Sequence, residues 1–322
     1  MTAAKDEAVA VFGAGGFVGR ALVDHLENSG NVVIPLQRLD CDLLRGDDVR
    51  RTVASFPSGT RVVICATVNK NVDNSFAAFE QNTRIAANLA SALASSTAAG
   101  VVFLSTVDVY GRQPPDLLRE DAALRPADFY AVAKASSEFL LAAPAGPPLT
   151  ILRLPGIFGP GDGGRSVVGR FIRQINAGEP VYIRGGGNVQ RDYVEIGDVC
   201  RTIAHFVRHP DTGSFNVAKG RSQSIAAIVA QIGAALGKVP NIVVQGPELE
   251  AAGDLIFDVE RLRAAGLDPS GFTDLDQGVS RYTEGGTREL NAARQAAVQV
   301  PLDNSLAAFE KRKKTSASKV AE

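Results

Sequence analysis

The stretch Gly13-Ala14-Gly15-Gly16-Phe17-Val18-Gly19 stands between a short apolar run, Ala8 to Phe12, and a helical period through Ala21, Leu22 and Leu26. The order is strand, glycine turn, helix. In such a turn Gly13 permits the sharp reversal, Gly16 lets backbone approach a pyrophosphate, and Gly19 lets the helix pack against the strand. The opening amides of the helix, Phe17, Val18 and Gly19 among them, supply N–H donors and positive potential for an anion. A dinucleotide site is expected here.

Further apolar runs recur at Asn31–Leu36, Leu39–Leu44, Arg61–Ala66, Val101–Ser105 and Leu149–Leu154, with helical text at Ser75–Ser96 and Phe129–Ala142. Strands that alternate with helices predict an α/β fold with a doubly wound parallel sheet. Beyond Pro155 come Gly/Pro-rich loops, a helix over Ser166–Ala177 and short strand-like pieces near Val181 and Phe215, which read as a smaller C-terminal lobe. The expected division is a dinucleotide-binding domain over 1–155, to which later segments return, a substrate lobe over 156–305, and a disordered tail over 306–322 with the basic run Lys311-Arg312-Lys313-Lys314. The aliphatic stripe Ile225, Ile228, Val229, Ile232 and Leu236 predicts the core face of a helix.

Composition narrows the function. The chain has 34 Lys+Arg against 35 Asp+Glu, so no long-range field favours nucleic acid or an anionic membrane. Three separated cysteines, Cys41, Cys65 and Cys200, lack Cys-x-x-Cys spacing, and His25, His205 and His209 lack metal-ligand spacing, so neither a disulfide framework nor a metal is expected. With no membrane-length apolar run and no signal-type N-terminus, the expected setting is a reducing cytoplasm.

Where the second strand ends, an acidic residue would select NAD and a basic one a 2′-phosphate. Here the text is Leu36-Gln37-Arg38. Arg38 reads as a partner for the NADP phosphate or as a surface arginine, and Asp40, as a later acidic contact, keeps NAD open; NADP is favoured. Tyr130 and Lys134 lie one helical turn apart, and an ammonium beside a phenol is expected to lower the phenol's pKa to a working value. Ser105 and Thr106, at the C-terminal end of a strand, place a hydroxyl where doubly wound sheets bind ligands.

Gly13-x-x-Gly16-x-x-Gly19, Ser105-Thr106-Val107-Asp108-Val109-Tyr110-Gly111, Tyr130-x-x-x-Lys134, Leu152-Arg153 through Ile157-Phe158-Gly159-Pro160-Gly161, Gln190-Arg191-Asp192-Tyr193-Val194 and Phe215-Asn216-Val217 occur in family order. Together they resemble the extended short-chain dehydrogenase/reductase family, the NAD(P)-dependent nucleotide-sugar epimerases, dehydratases and reductases. The resemblance implies that Tyr130 exchanges the hydroxyl proton, Lys134 holds the nicotinamide ribose, and Thr106 hydrogen-bonds the reacting oxygen. It also implies cofactor contacts from Ala66, Thr67, Asp42, Leu43, Asn82 and Ser105, and substrate contacts from Asp108 and from Arg191, which reads alternatively as the structural partner of Asp192.

Departures shape the expected reaction. Related dehydratases carry Thr-Asp-Glu where this chain has Thr106-Val107-Asp108, and related 3,5-epimerase/reductases carry a His where it has Gly164-Arg165-Ser166-Val167, so dehydration and epimerisation beside the ketone are disfavoured. Gly156 replaces a frequent Asn, and Glu250-Ala251-Ala252-Gly253-Asp254 lacks a frequent Arg. A connection of only Gln37 to Leu39 between the second strand and a third one at Leu39–Leu44 leaves no room for a helix, which resembles the reductases more than the 4-epimerases. The expected function is a 4-ketoreductase or 4-epimerase of a nucleotide-activated sugar. The alternatives are a reductase of a non-nucleotide carbonyl compound and a non-catalytic NADP-binding protein of the same fold. By resemblance, two helices per subunit, about Ser75–Ser96 and Phe129–Ala142, would form a homodimer.

Overall fold

Runs such as Val9-Ala10-Val11-Phe12 and Val101-Val102-Phe103-Leu104 offer apolar side chains to both faces of a strand, so they are stable only where helices cover both sides of the sheet. A computed structural model describes residues 8–112, 116–142, 146–246 and 253–285. The first half of the chain runs β1 (Val9–Phe12), α1 (Phe17–Asn28), β2 (Val33–Leu36), α2 (Gly46–Ala54), β3 (Arg61–Ile64), α3 (Phe76–Leu93), β4 (Gly100–Thr106), a 3₁₀ turn (Val107–Tyr110), α4 (Phe129–Leu141) and β5 (Leu149–Leu154). The second half runs β6 (Gly156–Phe158), α5 (Val167–Ala177), β7 (Val181–Ile183), β8 (Gln190–Arg191), β9 (Tyr193–Glu195), α6 (Ile196–Arg208), β10 (Gly213–Asn216), β11 (Gln223–Ser224), α7 (Ile225–Ala235), β12 (Ile242–Val244) and α8 (Glu260–Ala264).

Six strands form one parallel sheet in the order β10-β5-β4-β3-β1-β2. Strand parity sorts the core: Val9 and Val11 pack with Leu22 and Leu26 of α1 and Ile203 and Phe206 of α6. Ala10 and Phe12 pack on the other face with Val49 and Val53 of α2 and Leu89 of α3. The chain leaves β1 for β2 on one side and returns to β3 on the other. Helices leaving β1 and β3 therefore diverge, and a crevice opens beyond the carboxyl ends of these strands.

Two expectations are corrected. Residues 39–44 are not a strand; they lead into α2, which lies between β2 and β3 and buries Val49 and Val53. The supposed short connection, and the preference for reductases drawn from it, therefore have no basis. The sixth strand of the sheet is β10, whose Phe215 is wholly buried beside β5 rather than in the smaller lobe.

That lobe has its own core, in which Phe171, Ile172 and Ile175 of α5 meet Ile228, Val229 and Ile232 of α7. Ile225 and Leu236, the ends of the predicted stripe, are partly buried against it. Among the described residues no helix is long and apolar enough to cross a membrane. The 306–322 tail lies outside the described residues.

Candidate active site

The glycine turn is tight enough to exclude side chains. Gly13 has φ +84°, and a Cβ there would sit 2.7 Å from the Ala66 nitrogen. A Cβ on Gly19 would sit 2.1 Å from the Gly13 carbonyl oxygen, so α1 can rest on the turn only with glycine at that position. The turn is fastened to β2, since the Gly13 and Ala14 amides donate to the Leu36 carbonyl at 3.0 and 3.2 Å. The first bond along α1 runs from the Arg20 amide to the Gly16 carbonyl, which leaves the amides of Phe17, Val18 and Gly19 ahead of it. Side chains of Ser75, Asp128, Ser166, Glu195 and Ser224 cap α3, α4, α5, α6 and α7, whereas Gly16 gives α1 no side-chain cap. An uncapped first turn behind a bare glycine loop suits a dinucleotide pyrophosphate.

Beyond β2 the Gln37 side chain lies over Gly15, whose Cβ would meet its Oε1 at 3.2 Å. Asp40 is spent within the loop: its carboxylate accepts from the Gln37 amide at 2.8 Å. Arg38 is exposed and makes no ion pair among the described residues. Asp42 accepts from the Leu44 amide at 3.1 Å, and Asn88 Nδ2 donates to the Leu43 carbonyl at 2.8 Å, so this segment is held as a shaped wall.

The loop after β3 is pinned by Asn82. Its Oδ1 accepts from the Val68 amide at 2.7 Å and its Nδ2 donates to the Val68 carbonyl at 3.0 Å. With its amide group so engaged, Asn82 shapes the loop that carries Ala66 and Thr67. Ala66, Thr67, Asn82 and Lys134 line one small crevice. Because Gly13 abuts Ala66, the glycine turn, the β3 loop and α4 form a continuous wall.

Tyr130 and Lys134 are both buried on α4. Asp128 caps the helix at Ala131, and Asn74 Oδ1 accepts from the Tyr130 amide at 2.9 Å, so the start of the helix is fixed twice. Lys134 Nζ donates to the Leu104 carbonyl at 2.7 Å and stands 5.9 Å from the Tyr130 ring centroid. Thr106 Oγ1 donates to Asp108 Oδ2 at 3.1 Å and accepts from the Asp108 amide at 3.2 Å. Asp108 is also ion-paired to Lys70, whose ammonium lies 6.0 Å from the Tyr130 ring centroid.

The protonation pattern differs from the expected one. Burial, then the Asp108 and Asp128 carboxylates, push the Tyr130 hydroxyl above its ordinary value, and Lys134 is turned toward the Leu104 carbonyl. Burial depresses Lys134 from 10.5 to about 8. Tyr130 is therefore a neutral phenol at neutral pH.

Ser105 does not join this group. Its hydroxyl donates to Glu138, which pairs with Arg153 through Nε at 3.1 Å and Nη2 at 2.8 Å. Successive side chains of β4 face opposite ways, and Ser105 faces α4. Glu138 lies one helical turn beyond Lys134, so spacing alone could have singled it out. Lys70 carries no such local signal.

Arg191 Nη1 donates to the carbonyls of Gln190 and Gly253 at 2.7 and 2.9 Å. The structural pair with Asp192 is not formed: Asp192 accepts from the Gly220 and Arg221 amides at 2.9 and 3.3 Å. Arg191 feels the charge of Asp108, which links it electrostatically to the Tyr130 group. It also lines a cavity of about 560 Å³ in the C-terminal lobe with Tyr193, Lys219 and Arg221, whereas Tyr130, Thr106 and Lys134 are outside that lining. The Tyr193 ring explains Gly156, since a Cβ there would come within 2.4 Å of it.

The pattern of the NAD dependent epimerase/dehydratase family matches residues 9–218, from β1 through the return to the sheet. The chain belongs to this family. A Streptomyces dTDP-4-dehydro-6-deoxy-D-allose reductase is 25% identical over 79% of this chain and 89% of its own. A dTDP-4-dehydrorhamnose reductase of Mycolicibacterium smegmatis is 33% identical over 53% of this chain and 51% of its own. Among solved structures, the UDP-glucose 4-epimerase of Thermus thermophilus in complex with NAD aligns with TM-score 0.75 at 25% identity, covering 86% of this chain and 98% of that one. As a member of the family, the chain is an NAD(P)-dependent enzyme.

Proposed function

We propose that this family member is a 4-ketoreductase or 4-epimerase of a nucleotide-activated sugar, with Tyr130 as its acid/base. The observation that carries the reading is the wall joining the glycine-rich Gly13–Gly19 turn, the Ala66–Thr67 loop and Lys134, with Tyr130 one turn away on the same helix. The bound nicotinamide supplies or accepts hydride. The chain's own residues do the rest: the turn receives the pyrophosphate, Lys134 the ribose, Thr106 orients the oxygen, and Tyr130 exchanges its proton. Asp108, already paired with Lys70 and bonded to Thr106, is poorly placed to be a free carbon base, which favours ketone chemistry over loss of water. Arg191 at the edge of the lobe cavity is assigned to the substrate diphosphate.

The test supplies dTDP-4-keto-6-deoxyglucose with NADPH, and separately UDP-glucose with NAD. Stoichiometric NADPH oxidation identifies a reductase and interconversion without net oxidation identifies an epimerase; neither, with cofactor bound, overturns the reading. NADP(H) is the proposed cofactor, because Arg38 is exposed without an ion pair among the described residues while the Asp40 carboxylate is engaged by the Gln37 amide. Arg38→Ala is expected to weaken NADPH binding by about tenfold or more, read by calorimetry, and to leave NADH binding within about twofold. A homodimer through α3 and α4 is supported by Phe76, Phe129 and Phe139, which are 56%, 45% and 82% exposed on these helices. Sedimentation should then give twice the 33.8 kDa chain mass.

A further inference from the structure

The loop between β3 and α3 carries the one ammonium that reaches the Tyr130 group from outside α4 among the described residues. Asn82 holds its start at Val68, and Asn74 holds its end at the Tyr130 amide, so Lys70 is suspended between two fixed points. From there Nζ pairs with Asp108 Oδ2, the oxygen that also accepts from Thr106, and lies 6.0 Å from the Tyr130 ring centroid. We infer that Lys70 is a positioning residue for proton transfer at Tyr130: it cancels the Asp108 charge beside the phenol and holds that carboxylate against Thr106. This inference rests on the reading of Tyr130 as the acid/base and adds a residue outside the Tyr130–Lys134–Thr106 group.

The charges facing the phenol can be named element by element. Asp108 comes from the 3₁₀ turn, Asp128 from the residue before α4, Lys134 from α4 and Lys70 from the β3–α3 loop. The two carboxylates oppose phenolate and the two ammonium groups favour it. Lys134 is committed to the Leu104 carbonyl, and Arg191, which feels the Asp108 charge, donates to the Gln190 and Gly253 carbonyls, which leaves Lys70 as the counter-charge in contact with Asp108. The Lys70 and Asp108 side chains are 38% and 28% exposed, so salt screens the effect without abolishing it.

The test follows alcohol oxidation, the direction in which Tyr130 must accept a proton, as kcat/KM against pH for the wild type, Lys70→Met, Lys70→Arg and Lys70→Met/Asp108→Asn. Lys70→Met is expected to move the rising limb to higher pH by about one unit and to lower the rate at pH 8 by about tenfold. Lys70→Arg should keep the wild-type limb, and the double variant should return toward it because the uncancelled carboxylate is gone. A Lys70→Met profile that superimposes on the wild type, or a double variant as displaced as the single one, overturns the inference. A wild type that turns over no substrate overturns the underlying reading instead.

Discussion

Tyr130→Phe is expected to lower kcat by about 10²- to 10⁴-fold while cofactor affinity stays within about twofold. The expected split follows from where the hydroxyl lies. The phenol is buried at the start of α4, and its ring is held by a helix whose end is tied by Asn74 and Asp128. Removing one oxygen leaves these anchors, the glycine turn and Lys134 in place. The group lost is one that burial keeps protonated, so the missing function is proton donation to a developing alkoxide. Stopped-flow reduction of a 4-keto sugar, with fluorescence titration of NADPH, separates the two quantities. Unchanged turnover would exclude Tyr130 as the acid. Equal loss of binding and turnover would make it a structural residue.

How much of this was legible before folding depends on whether the signal is local. β1, β4 and β5 were readable because runs buried on both faces can hardly be anything else, and all residues of these strands are buried. α2 was missed for two local reasons. Arg45 stands at its N-cap where a Ser, Thr, Asp or Asn would announce a helix, and Cys41, Leu43 and Leu44 mimic a strand just before it. A strand-like piece is legible near Phe215, but its place in the main sheet is not, because Gly213-Ser214-Phe215-Asn216 becomes a buried strand only beside β5, about 60 residues earlier.

The site divides in the same way. Glycine spacing and the Tyr130–Lys134 turn are written in consecutive residues. Lys70 and Asp108 meet only because β3 and β4 are sheet neighbours, and the Tyr193 ring over Gly156 depends on the β6–β9 pairing. Adjacent residues can also take opposite roles: Thr106 joins Asp108, whereas Ser105 turns to Glu138.

Glu138→Ala is expected to cost about 3–5 kcal/mol and to lower the thermal midpoint by about 10 °C. Both charged side chains of the Glu138–Arg153 pair are 6% exposed. Arg153 also donates to the Tyr110 hydroxyl at 3.0 Å and to the Glu120 carbonyl at 2.8 Å, and Tyr110 donates to Asn216 Oδ1 at 2.7 Å. One network thus ties α4, β4, the 3₁₀ turn, β5 and β10 together. Removing Glu138 takes the counter-charge from a buried guanidinium and the acceptor from Ser105, and the neutral partners that remain cannot replace a carboxylate. A Glu138→Leu/Arg153→Met double variant should recover much of the stability, because it removes both charges and refills the space. Its activity should stay low, since Glu138 follows Lys134 by one turn and fixes that part of α4 against β4 and β5. Calorimetric melting and turnover measured on the same samples check both halves: recovered melting with recovered activity would show that the pair does not position the helix.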